Sequence, residues 1–73
     1  MFESKLEDIA QLTGVIDYGD AWAIDEKATA DKEYRKQVRA LIGDWEDAME
    51  EENDEEATKV AEKIKALVPK KEN

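Results

Sequence analysis

The chain has 73 residues, with twenty Asp and Glu against eleven Lys and Arg, a net charge of −9, and neither histidine nor cysteine. That length fits one small domain. The composition excludes a disulfide framework, a zinc–thiolate site and a thiol nucleophile, and it removes the commonest general base. The charge argues against direct binding of nucleic acid or an anionic membrane surface, because both are negative.

The first predicted helix opens at Ser4, with Glu7 three residues later in a capping-box spacing. Leu6, Ile9, Ala10 and Thr13 recur at helical spacing, and Gly14 stands where a left-handed residue would end the helix. Residues 15–30 admit three readings. A short helix can run from Asp20 to about Ala28. Alternatively, Val15–Tyr18 and Ala21–Ile24 can pair as strands about a Gly19–Asp20 turn, or the segment can be an irregular loop.

The next helix is the longest, predicted from Asp31 to Glu52 with an apolar stripe of Tyr34, Val38, Leu41, Trp45 and Ala48, widened by Ile42 and Met49. A last helix is predicted from Asp54 to Val68, capped by Asn53 with Glu56 at N3 and ended by Pro69. Its apolar face is Ala57, Val60, Ala61, Ile64, Leu67 and Val68. The expected architecture is all-α: a small three- to four-helix bundle in which the long central helix packs antiparallel to the C-terminal helix. Residues 1–69 are expected to form a single helical domain, and 70–73 a frayed tail.

Charge is distributed in blocks. Residues 1–30 carry a net −5, residues 31–40 a net +2, residues 41–56 nine acids and no base, and residues 57–73 a net +3. The acidic block is Asp44, Glu46, Asp47, Glu50, Glu51, Glu52, Asp54, Glu55 and Glu56. Asp54, Glu55 and Glu56 open a helix, where the macrodipole favours acids. Glu50, Glu51 and Glu52 close one, where acids are disfavoured by about 0.3–1 kcal/mol each. The other end is reversed too, because Lys32, Arg35, Lys36 and Arg39 crowd the start of the long helix. Antiparallel pairing would bring Lys63, Lys65 and Lys70–Lys71 toward them, giving a basic pole and an acidic pole. A broken local rule without structural gain marks a functional surface, so the nine acids are the expected partner-binding site. Trp45 and Tyr34 are expected in the core. Tyr18 and Trp22 are expected either to cover the core or to serve as secondary partner anchors.

Other chemistry finds little support. The three glycines do not form a phosphate-binding loop, and Ser4 is the sole serine. The Asp-Ser-Leu attachment site of an acyl-carrier protein is missing. Asp17, Asp20 and Asp25 lack EF-hand spacing. Paired carboxylates would need a desolvated pocket that a chain this small has little volume to build. No catalytic residue, cofactor or metal is expected. The N-terminus lacks a basic start followed by an apolar stretch, so it does not read as a signal peptide. No apolar run approaches a membrane span, and the expected location is cytoplasmic.

In size, charge and helicity the chain is similar to small acidic proteins that bacteriophages make against host machinery, anti-CRISPR proteins and DNA mimics among them. No family motif matches residue by residue, and the resemblance carries no site over. It implies an inhibitor that engages a basic, nucleic-acid-handling protein through an acidic edge, in the cytoplasm of a bacterial host if phage-encoded. Two alternatives stay open: a structural or assembly protein that self-associates, as a homodimer for example, and an immunity protein or antitoxin that neutralises a basic toxin.

Overall fold

A computed structural model describes residues 3–69. Four helices follow one another: α1 (Glu3–Thr13), α2 (Tyr18–Ala30), α3 (Lys32–Glu50) and α4 (Asp54–Leu67). The radius of gyration is 11.4 Å, close to the ~11 Å expected of a compact chain this long. The tail expected at 70–73 lies outside the described residues. Among the described residues, no helix is long and apolar enough to cross a membrane.

Helix α1 already includes Glu3, so Ser4 stands inside its first turn and does not take the N-cap position expected of it. A serine is tolerated there at a cost of about 0.5 kcal/mol relative to Ala. The other end behaves as the sequence implies. Gly14 adopts φ +70° and its N–H bonds the Ala10 carbonyl at 2.9 Å, a single-bond left-handed cap.

Residues 18–30 are helical, which excludes the hairpin. The deciding device is local: the Asp17 side chain accepts the Asp20 N–H at 2.7 Å, and the Asp20 side chain accepts the Asp17 N–H at 3.2 Å. This reciprocal capping box satisfies two orphan donors and starts the helix at Tyr18, two residues before the expected start. The buried face of α2 is Ala21, Ile24 and Ala28.

Asp31 separates α2 from α3 and serves both. Its own N–H bonds the Lys27 carbonyl, and its side chain accepts the N–H groups of Glu33 and Tyr34. The long helix is therefore shorter than expected at both ends, 19 residues or about 28 Å. Its buried stripe is Tyr34, Val38, Ile42, Trp45 and Ala48, with Leu41 and Met49 only partly buried. Ile42 thus takes the central place expected of Leu41. A step of four brings Val38 and Ile42 onto one line, whereas Leu41 falls toward the α3–α4 rim.

α3 packs most extensively against α4, and the two run antiparallel. The Tyr34 hydroxyl, near the start of α3, donates to the Leu67 carbonyl at the end of α4, at 2.6 Å. Sixteen buried apolar residues drawn from all four helices and from Ile16 form one core cluster. No buried polar or charged residue interrupts it among the described residues.

Candidate acidic interface at the turn between α3 and α4

The nine acids do not lie along one rod. The chain reverses at Glu51–Asn53, so Asp44 to Glu50 run down the end of α3 while Asp54 to Glu56 start back up α4. The spacing that a continuous helix over 44–56 would give is replaced by two columns capping one end of the bundle. On α3 the acidic stretch occupies about 10 Å of axis. Nine charges at that end give about one per 1.1 Å of axis, against about one per 1.7 Å of duplex DNA. All nine residues are exposed.

The turn itself is a full Schellman arrangement. The Glu52 N–H bonds the Met49 carbonyl at 3.1 Å and the Asn53 N–H bonds the Ala48 carbonyl at 2.8 Å. The residue between must be left-handed, and it is Glu52, at φ +57°. Glycine is the ordinary occupant there, and a residue with a Cβ costs about 1–2 kcal/mol. Two unfavourable choices therefore coincide at one residue: a strained backbone and an acid at the negative end of a helix dipole. No base stands in the last turn of α3 to offset the charge. Opposite, Asn53 caps α4 by accepting the Glu56 N–H at 3.1 Å, and Asp54, Glu55 and Glu56 sit in its first turn.

Among the described residues, one of the nine acids meets a cation. Lys5 of α1 reaches across and pairs with Glu46. Both side chains are half-exposed, so the pair contributes little stability. It does draw Glu46 toward α1 and leaves the other eight pointing to solvent. Beneath the edge Trp45 is buried, with its indole Nε1 lacking a hydrogen-bond partner among the described residues.

Tyr18 and Trp22 do not cover the core. They are 59% and 57% exposed, one turn apart on the outer face of α2. Nor does the fold bring them to the acidic edge. Asp20, between them, bonds Lys65 at 3.0 Å, and Lys65 lies eleven residues beyond Asp54, about 16 Å along α4. That ion pair also redirects Lys65, which was expected to gather with the bases of α3. Desolvation raises the Asp20 pKa, but the hydrogen bonds from Lys65 and from the Asp17 N–H, with the Lys65 charge, outweigh it and hold the carboxyl below its ordinary value. Lys63 lines a shallow apolar groove with Leu41 and Leu67. Lys70 and Lys71 lie outside the described residues.

The basic end of α3 was expected from sequence. Lys32, Arg35, Lys36 and Arg39 line one depression at the start of α3. Lys27 lies 4.8 Å from the centre of the Tyr34 ring, a cation–π contact beside it. Among the described residues no group of three or more acids is disposed to hold a metal ion.

No family model, no curated protein and no solved structure matches the chain.

Proposed function

We propose that this protein is a binding module that engages a basic, nucleic-acid-handling protein through the acidic turn between α3 and α4. It would act as an inhibitor by presenting carboxylates where the partner expects phosphates, in the manner of phage anti-defence or anti-CRISPR proteins. The observation that carries the reading is Glu52. A left-handed position that glycine would fill at no cost holds an acid within a cluster of nine exposed carboxylates. Strain retained in this way is characteristic of functional surfaces. The charge density of the two columns is of the order that a phosphate-binding groove accepts, and carboxylates can pair with its Arg and Lys side chains. No catalytic role is proposed.

The test is replacement of Glu50, Glu51 and Glu52 by Gln, with binding to a partner captured from host lysate measured at two salt concentrations. Affinity should fall at least about tenfold, and its salt dependence should flatten. Unchanged affinity at both salts would sink the acidic-edge reading.

One observation favours a second reading. The basic depression and the acidic turn occupy opposite ends of α3, an arrangement that suits head-to-tail association of copies. Sedimentation at low and moderate salt separates the two readings. A monomer at every concentration and salt argues for the inhibitor, and a concentration-dependent oligomer that dissolves with salt argues for assembly.

A further inference from the structure

Tyr18 and Trp22, two of the large apolar side chains left exposed among the described residues, stand on the outer face of α2. A step of four sets Tyr18, Trp22 and Glu26 in one row, about 12 Å long. Single exposed apolar residues are ordinary on a protein surface. Two adjacent rings beside a hollow form a patch, and such patches mark interaction sites. The hollow is shallow and mostly apolar, lined by Ala10, Gln11, Gly14, Ile16, Asp17 and Tyr18 where α1 gives way to α2. The core does not use these rings, because α2 buries Ala21, Ile24 and Ala28 instead.

The charge around the rings has one sign. Asp17 lies in the hollow, where one of its carboxylate oxygens accepts the Asp20 N–H and the residue stays exposed. Glu26 stands one turn beyond Trp22, exposed and with no paired cation among the described residues. Asp25 beside it is already engaged within the protein, so Glu26 is the carboxylate that the row offers. The nearby cations are held elsewhere. Lys27, the one base of α2, lies roughly half a turn round the helix from the rings, over Tyr34. Lys65 is paired with Asp20, and Lys5 with Glu46.

We infer that Tyr18, Trp22 and Glu26, with the adjoining hollow, form a docking surface for an arginine-bearing segment of another protein, separate from the acidic turn between α3 and α4. The charge selects this occupant. A nucleic-acid strand can stack its bases on the rings, but its phosphates would meet Asp17 and Glu26 in a stretch, residues 1–30, of net charge −5. A second copy applied face to face would oppose the same acids to one another. A guanidinium meets neither obstacle, since it stacks on a Trp or Tyr ring and pairs with a carboxylate through its edge. An apolar side chain of the same segment fills the hollow.

The test is titration of the full chain, isotopically labelled, with a twelve-residue peptide of four arginines set among leucines and glycines, and separately with a twelve-nucleotide oligo-dT, each to about 1 mM. The peptide should shift the Trp22 indole N–H and the amides of Gln11, Gly14, Tyr18 and Glu26. Trp22→Ala should weaken this binding at least about tenfold, and Glu26→Gln should weaken it about threefold and flatten its salt dependence. Far-UV circular dichroism confirms that the variants fold, and Tyr18→Ala provides the same comparison if Trp22→Ala does not. The Glu50→Gln/Glu51→Gln/Glu52→Gln protein should keep the shifts at α2, so this surface and the acidic edge stand or fall separately. The inference is overturned by shifts confined to residues 44–56, by loss of the α2 shifts in that triple variant, by an unchanged affinity in Trp22→Ala, or by no response to the peptide. It is also overturned by an equal response of these residues to oligo-dT, which gives the face to nucleic acid. Shifts of Tyr18 and Trp22 that follow protein concentration without peptide overturn it too, by giving the face to a second copy.

Discussion

The Tyr34 hydroxyl donates a 2.6 Å hydrogen bond to the backbone carbonyl of Leu67, across 33 positions of sequence. One side chain thereby satisfies a carbonyl that the end of α4 would otherwise leave without a helical partner, and it ties the first turn of α3 to the last turn of α4. Tyr34→Phe removes the bond and keeps the ring. The expected loss is about 1 kcal/mol, which lowers the melting temperature by about 4–8 °C in a domain this small. Hydrogen exchange should accelerate first at Leu67 and Val68. Burial also raises the phenol's pKa above its ordinary 10.0. A raised value in the folded state contributes stability that is complete below pH 10 and is lost as pH climbs through it. The wild type should therefore lose stability above pH 10 in a way that Tyr34→Phe does not.

Two left-handed residues give opposite predictions from one cause. Glu52→Gly should stabilise the protein by about 1 kcal/mol, because glycine adopts the turn without strain. Gly14→Ala should destabilise it by a similar amount. A Cβ there meets nothing within 4 Å, so the whole penalty is conformational. Thermal melts of the two variants check this. A Glu52→Gly protein that melts at or below the wild-type temperature would contradict the turn geometry.

Added salt should stabilise the wild type. Among the described residues, eight exposed carboxylates share one end of the bundle without a paired cation, and screening weakens their mutual repulsion. The melting temperature should rise between low and moderate NaCl, and the rise should shrink in Glu50→Gln/Glu51→Gln/Glu52→Gln. Equal salt responses in the two proteins would show that the acidic end stores no such repulsion.

Acid should act through Asp20. Its lowered pKa means a contribution that is complete above the ordinary value of 3.8 and is lost as pH falls below it. Asp20→Asn should therefore flatten the stability profile below about pH 4 while leaving the helix in place. Asp17→Ala removes the cap itself and should cost about 1 kcal/mol at neutral pH.

The two tryptophans should separate spectroscopically. Trp45 is 7% exposed and Trp22 57%. Emission of a Trp22→Phe protein should be blue-shifted and resist iodide, while that of a Trp45→Phe protein should be red-shifted and quenched. Trp22→Phe should leave the free energy of unfolding within about 0.5 kcal/mol of wild type.

Much of this molecule was legible in the chain because its helices end on strong local signals. Asn53, Gly14 and the Asp31 junction each act within a few residues, and the stripe on α3 is carried by large apolar side chains. Helix α2 was obscured for a physical reason. Its buried face is two alanines and one isoleucine, while the bulky rings of Tyr18 and Trp22 point outward. Periodicity was therefore masked at the positions where it matters. The overlooked signal was Asp17 with Asp20, a capping box written with two aspartates. The acidic end was visible as composition. Its geometry was not, because the reversal at Glu52 depends on a backbone conformation that a glutamate does not advertise.

Glu52 also has an evolutionary reading. A library randomised over residues 50–53 and sorted only for resistance to heat should drift to glycine or asparagine at position 52. Sorted instead for capture of its partner, the same library should keep an acid there. A divergence between the two populations would measure, in sequence space, the distance between the turn's most stable form and the form that the proposed binding requires; identical populations would leave Glu52 without a binding role.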